Sequence, residues 1–158
     1  MKTLIVFATK HGCAEKCAAR LGGHLGGDVT AVDLRESDPI GLEDYDTVVV
    51  GGSIYAGKIQ RQVKAFCEKN LEALKARRLG LFICCMEEAK AQEEFAAAFP
   101  EELIQSAAAK GIFGGEITLE KMGAIERFII KKVGKMSQSV SKIDDEAILR
   151  FARELNAS

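Results

Sequence analysis

Three short stretches of the chain combine residue types and spacings that can do chemistry. The first is Thr9-Lys10-His11-Gly12-Cys13-Ala14, set between an apolar run and a segment of helical period. Unpaired backbone N–H groups at a helix start, backed by the positive end of the helix dipole, attract anions, and a phosphate group is the natural occupant. Gly12 permits a turn or close approach that a side chain would obstruct, Thr9 offers a hydroxyl, and Lys10 adds charge. The stretch matches neither G-x-G-x-x-G nor the Walker pattern, so a plain strand-to-helix turn stays open as the alternative. The second stretch, Gly51-Gly52-Ser53-Ile54-Tyr55-Ala56-Gly57, sets one aromatic ring among small residues. A planar ligand can stack on Tyr55, and the glycines allow positive φ beside it; a tight turn with a half-exposed tyrosine is the other reading. The third is Cys85-Met86-Glu87-Glu88-Ala89, which opens an acidic region reaching Glu102.

Cysteine chemistry is the remaining possibility. A helix N-terminus and a nearby lysine can lower the pKa of Cys13 or Cys17 and make it reactive; against this stands the reading of His11 as a loop residue and both cysteines as small helix residues. Spacing supplies no third and fourth metal ligand, and the only other histidine is His24, so no metal site is expected. Cys84-Cys85 reads as a strand end whose thiols are more often small core residues than a redox pair.

These stretches need elements to hold them. Apolar β-branched runs alternate with helix-period segments, the pattern of βα units on a parallel sheet. Residues 3–8, 28–34, 47–50, 79–85 and 112–119 read as five strands. Residues 59–76, 89–109 (interrupted at Pro100), 122–136 and 144–155 read as helices, together with a helix bearing Ala14, Cys17, Ala18 and Leu21. In such sheets the ligand sits beyond the carboxyl ends of the strands where strand order reverses, which brings the three stretches together. No repeat or linker divides the chain, so residues 1–158 are expected to form a single domain.

Composition narrows the function classes. Lys and Arg total 22 against 23 Asp and Glu, a net charge of −1 that gives no overall pull toward nucleic acid. No apolar run approaches a membrane span, and the start lacks a cleavable signal pattern. Five cysteines, an odd number without paired CxxC knuckles, suit a reducing cytoplasm. Residues 122–136 carry Arg127, Lys131, Lys132 and Lys135 with Met122, Ile125, Ile129, Val133 and Met136 at helical spacing. Such a basic amphipathic helix either packs on the sheet or contacts an anionic membrane surface or acidic partner.

The segments MKTLIVFATKHG (1–12), VVGGSIYAG (49–57) and RFIIKKVGKMS (127–137) resemble the flavodoxins, and within them the flavodoxin-type, menaquinone-linked protoporphyrinogen IX oxidase group. The resemblance implies a flavodoxin-like α/β fold, a doubly wound five-stranded parallel sheet of order 2-1-3-4-5 with helices on both faces. It implies one FMN, its phosphate held by Thr9, Lys10, His11, Gly12, Cys13 and Ala14. The isoalloxazine would lie between Ser53, Ile54, Tyr55, Ala56 and Gly57 on one side and Cys85, Met86 and Glu87 on the other. Tyr55 would be the stacking ring, and backbone groups around Ala56 and Gly57 would meet the reacting edge. Flavodoxins usually surround the phosphate with several hydroxyls, and here only Thr9 remains; each lost hydroxyl removes about 0.5 to 1.5 kcal/mol, so weaker FMN binding is expected. Carboxylates at Glu87 and Glu88 would lower the flavin's potential.

The function expected from this is an FMN-dependent redox protein, with oxidation of a porphyrinogen by a quinone as the named activity the resemblance suggests. A simple electron carrier docking through the acidic surface, and a non-catalytic domain with a decayed flavin site, are the rivals. The protein is expected in the cytoplasm, with peripheral contact at the inner face of the membrane through residues 122–136.

Overall fold

The computed structural model describes residues 1–39, 41–117 and 140–157. Strands β1 (Lys2–Ala8), β2 (Asp28–Asp33), β3 (Thr47–Ser53), β4 (Arg78–Cys84) and β5 (Ala109–Ile112) form one parallel sheet in the order β2-β1-β3-β4-β5, as the flavodoxin resemblance implies. The central strands are apolar on both faces because helices cover both. Helices α1 (Cys13–Gly22) and α6 (Asp145–Asn156) pack on the face carrying Ile5, Phe7, Val49, Phe82 and Cys84. Helices α2 (Arg61–Lys69), α3 (Leu71–Lys75), α4 (Ala91–Ala98) and α5 (Glu101–Ser106) cover the other face, where Leu4, Val6, Val48, Val50, Leu81 and Ile83 are buried.

The first face has an unusual row. Register pairs Phe7 with Gly51, Gly51 with Phe82, and Phe82 with Gly111, so aromatic and glycine alternate across four strands. A Cβ on Gly51 would lie 2.1 Å from the Phe82 ring, and one on Gly111 would lie 2.5 Å from Phe113. Phe82 stacks on Phe113 with centroids 4.8 Å apart, and Phe151 of α6 meets both rings edge-on. The glycines therefore make room for a close-packed aromatic layer.

Several boundaries differ from the sequence reading. β3 continues through Gly51 and Gly52 to Ser53 instead of stopping at Val50, because Phe82 and the Ile59 and Gln60 side chains fill the space where those Cβ atoms would be. The helix expected over 59–76 divides at Asn70, whose amide donates to the Phe66 carbonyl at 3.0 Å. The helix expected to reach residue 109 ends at Ser106, and the fifth parallel strand is Ala109–Ile112 in place of 112–119. Residues Gly114–Ile117 (β6) leave the sheet and pair antiparallel with Val140–Ile143 (β7). The basic helix expected over 122–136 lies outside the described residues.

The opposite face carries a pH-sensitive contribution. Cys67 of α2 is fully buried, and desolvation, aided by Glu68, pushes its thiol from 9.0 up to about 12. Both states hold the proton below 9.0, but between 9.0 and about 12 only the unfolded chain releases it, so this stability is lost as pH rises through that window. The urea midpoint of the wild type is expected to fall more steeply than that of Cys67→Ala from about pH 9 upward. Parallel slopes would show that Cys67 does not carry the effect.

Candidate cofactor site at the carboxyl edge of the sheet

β1 ends at Ala8, and Thr9 follows with only 2% of its surface exposed. Its hydroxyl accepts a 2.9 Å hydrogen bond from the Gly12 backbone N–H, folding residues 9–12 into a tight loop, and lies 3.4 Å from the Ser53 hydroxyl. Gly12 takes φ 95°, a left-handed conformation costly for any residue with a Cβ, and it directly precedes α1. No side chain caps α1, so the N–H groups of its first turn face the loop without an intrahelical acceptor. Cys13 and Ala14 turn their side chains into the core and offer the loop only their backbone. The hydroxyl-poor sequence is thus a difference in side chains around a backbone cradle that is present.

The second stretch closes beside it. Tyr55 and Lys58 exchange backbone hydrogen bonds of 2.9 and 3.0 Å, with φ 51° at Ala56 and 79° at Gly57. Positive φ at both central residues defines a type I′ turn. The turn holds the Tyr55 ring outward, 36% exposed, with the Lys10 ammonium 3.6 Å from its centroid and His11 edge-on at 5.9 Å. Left-handed geometry at an alanine costs roughly 1 kcal/mol, part of which glycine returns through unfolded-state entropy. Ala56→Gly is therefore expected to raise the thermal midpoint by about 1–2 °C; a fall would mean that the Ala56 methyl makes a stabilising contact.

The third stretch is tied to the second, since the Ile54 N–H donates to the Cys84 carbonyl at 2.8 Å. Cys85 points inward, its thiol donating to Glu94 at 3.0 Å, and burial together with that carboxylate pushes its pKa up to about 11. It therefore stays protonated at neutral pH and is a poor nucleophile. Met86 packs against Gly115 of β6, while Glu87 is exposed.

All three stretches thus meet at one edge. Thr9, Lys10, Tyr55, Ile59 and Gln60 also line a hollow of about 320 Å³ with Arg35 and Lys58. Sequence reasoning passed over those two cations, although Arg35 closely follows β2 and Lys58 ends the tyrosine turn, which is where a carboxyl-edge argument looks. Asp33 pairs with Arg35 at 2.8 Å and fixes its guanidinium beside the hollow. A larger hollow of about 480 Å³ lies beside β5, lined by Phe95, Lys110, Arg150 and Glu154, away from the uncapped helix and the exposed ring. Chemistry decides between them, and the smaller hollow is the candidate.

An open doubly wound sheet with a tight helix-initiating loop and an exposed ring at its switch point defines a nucleotide- or cofactor-binding class of α/β protein. The chain belongs to the flavodoxin domain family, whose model matches residues 4–144. Protoporphyrinogen IX dehydrogenase (quinone) of Escherichia coli strain K12 is 23% identical over 171 residues, covering 98% of this chain and 94% of that protein. The flavodoxin of Streptococcus pneumoniae TIGR4 superposes with a TM-score of 0.59 at 18% identity over 99% of both chains. Oxidised Flavodoxin 1 of Bacillus cereus gives 0.57 at 16% identity, over 98% of this chain and 97% of that one. These two structures share the fold. Among the described residues no helix is long and apolar enough to cross a membrane.

Proposed function

We propose that the chain binds FMN at this edge and works as a flavin-dependent redox protein. The observation that carries the reading is the pairing of the Thr9-folded, uncapped start of α1 with the Tyr55 ring on its type I′ turn. The donor set fits a phosphate monoester: the first-turn N–H groups of α1, the Ser53 hydroxyl and the Lys10 ammonium supply hydrogen bonds and positive charge, with His11 beside them. Lys10 covers one face of Tyr55, so a planar ring would stack on the other face or displace it. Backbone groups of Ile54, Ala56 and Gly57 would border one side of the ring and those of Cys85, Met86 and Glu87 the other. When bound, the flavin supplies the electron-transfer chemistry, and the protein positions it, limits water access and sets the local field. No side chain is assigned as general acid or base.

The name of the E. coli relative supports a finer reading, oxidation of a porphyrinogen with a quinone as acceptor. The basic segment 122–136 supports contact of a cytoplasmic protein with an anionic membrane face, where quinones reside. Electron exchange with a redox partner protein is the simpler alternative, and nucleic acid is not a partner in either.

Titration of apoprotein with FMN is expected to give saturable quenching of flavin fluorescence. Loss of one stacking contact is worth about 0.5–1.5 kcal/mol, so Tyr55→Ala should weaken binding roughly two- to tenfold. Absence of uptake at high micromolar FMN would overturn the redox reading. Turnover of protoporphyrinogen with a quinone would establish the enzyme; reversible reduction without turnover would establish a carrier.

A further inference from the structure

Sequence spacing offers Cys13 and Cys17 as a pair one helical turn apart, and folding adds a third thiol. Cys84, the last residue of β4, reaches the same point from the sheet, and the three sulfurs lie within 4.8 Å of one another. Cys84 donates its thiol hydrogen to Cys17 with the sulfurs 3.5 Å apart, and all three are free thiols. They are 5%, 0% and 2% exposed and sit in the core layer of Phe7, Phe82 and Phe113, where alanine or valine would satisfy packing alone. The chain's other cysteines, Cys67 and Cys85, lie in the opposite core layer, so this face has gathered three of five.

We propose that Cys13, Cys17 and Cys84 form a three-sulfur site for a soft monovalent d10 cation, copper(I) in chemical class. Metal–sulfur bonds of about 2.3 Å around a trigonal centre need sulfurs about 4 Å apart, and here one pair is 3.5 Å apart and none is more than 4.8 Å apart. Among the described residues no histidine or carboxylate joins the group, which leaves tetrahedral zinc without its fourth ligand. Thiolate softness and a low coordination number select copper(I) instead.

Copper(I) held by the three sulfurs as thiolates displaces their protons to solvent and leaves the site with a net negative charge, three thiolates against one monovalent cation, which the positive end of α1 partly offsets. Cys13 keeps its backbone N–H on the loop above, so the site does not depend on the flavin reading.

The test is an anaerobic titration of the reduced full-length chain with copper(I) against the chelator bathocuproine disulfonate. Wild type and Cys67→Ala are expected to retain one copper(I) per chain under competition, while Cys17→Ala and Cys84→Ala bind about a hundredfold more weakly. X-ray absorption of the loaded wild type should report three sulfurs at about 2.3 Å, a readout that needs no variant to fold. Failure to retain the ion, retention by Cys17→Ala equal to wild type, or a shell with nitrogen or with fewer than three sulfurs would each overturn the site.

Discussion

Phe82→Ala is expected to destabilise the protein by about 3–5 kcal/mol, a large share of the roughly 5–15 kcal/mol that holds a domain together. Phe82 is fully buried on β4, between Gly51 of β3 and Gly111 of β5 in register. Removing the ring loses its stacking on Phe113 and its edge contact with Phe151. It also leaves a cavity that two glycine neighbours have no side chains to fill. The urea midpoint should fall without a change in slope, and a loss below about 1 kcal/mol would show that the layer repacks.

Thr9→Val should have the largest effect on the site. Valine keeps the shape of the side chain but leaves the Gly12 N–H without its 2.9 Å acceptor and removes the hydroxyl facing Ser53. An unsatisfied polar group of this kind costs roughly 1–3 kcal/mol, which predicts FMN binding weakened about five- to more than a hundredfold. The loss arises where the phosphate would lie. Riboflavin, which has the ring and no phosphate, should therefore be much less affected; an equal loss for both ligands would place the damage in general stability instead.

Much of this was legible in the residues themselves. Continuous apolar runs identified the central strands of the sheet, and Gly12, Tyr55 and their neighbours marked the edge loops, because local chemistry and strand ends coincide in a doubly wound sheet. The fifth strand was expected but misplaced. Ala109 ended the expected helix and the strand was read from residue 112, yet Gly111 is in the sheet because the Phe113 and Phe151 rings occupy the space of a side chain. Tertiary packing overrode propensity there, as it did at Gly51 and Gly52. The thiol cluster was half legible: helical spacing joined Cys13 to Cys17, but Cys84 is 67 residues from Cys17, and only the pairing of β4 with β3 brings it underneath α1. Arg35 was missed for the same reason, since no local pattern connects the end of β2 to the tyrosine turn.

The most direct test of the central claim is a backbone amide NMR map of the protein titrated with FMN. The account predicts that the largest shifts fall on Gly12, Cys13 and Ala14, on the turn from Tyr55 to Lys58, and on residues 85–87, with inorganic phosphate alone reproducing the first set. Shifts confined to the hollow beside β5, around Lys110 and Arg150, or no shifts at saturating FMN, would contradict it.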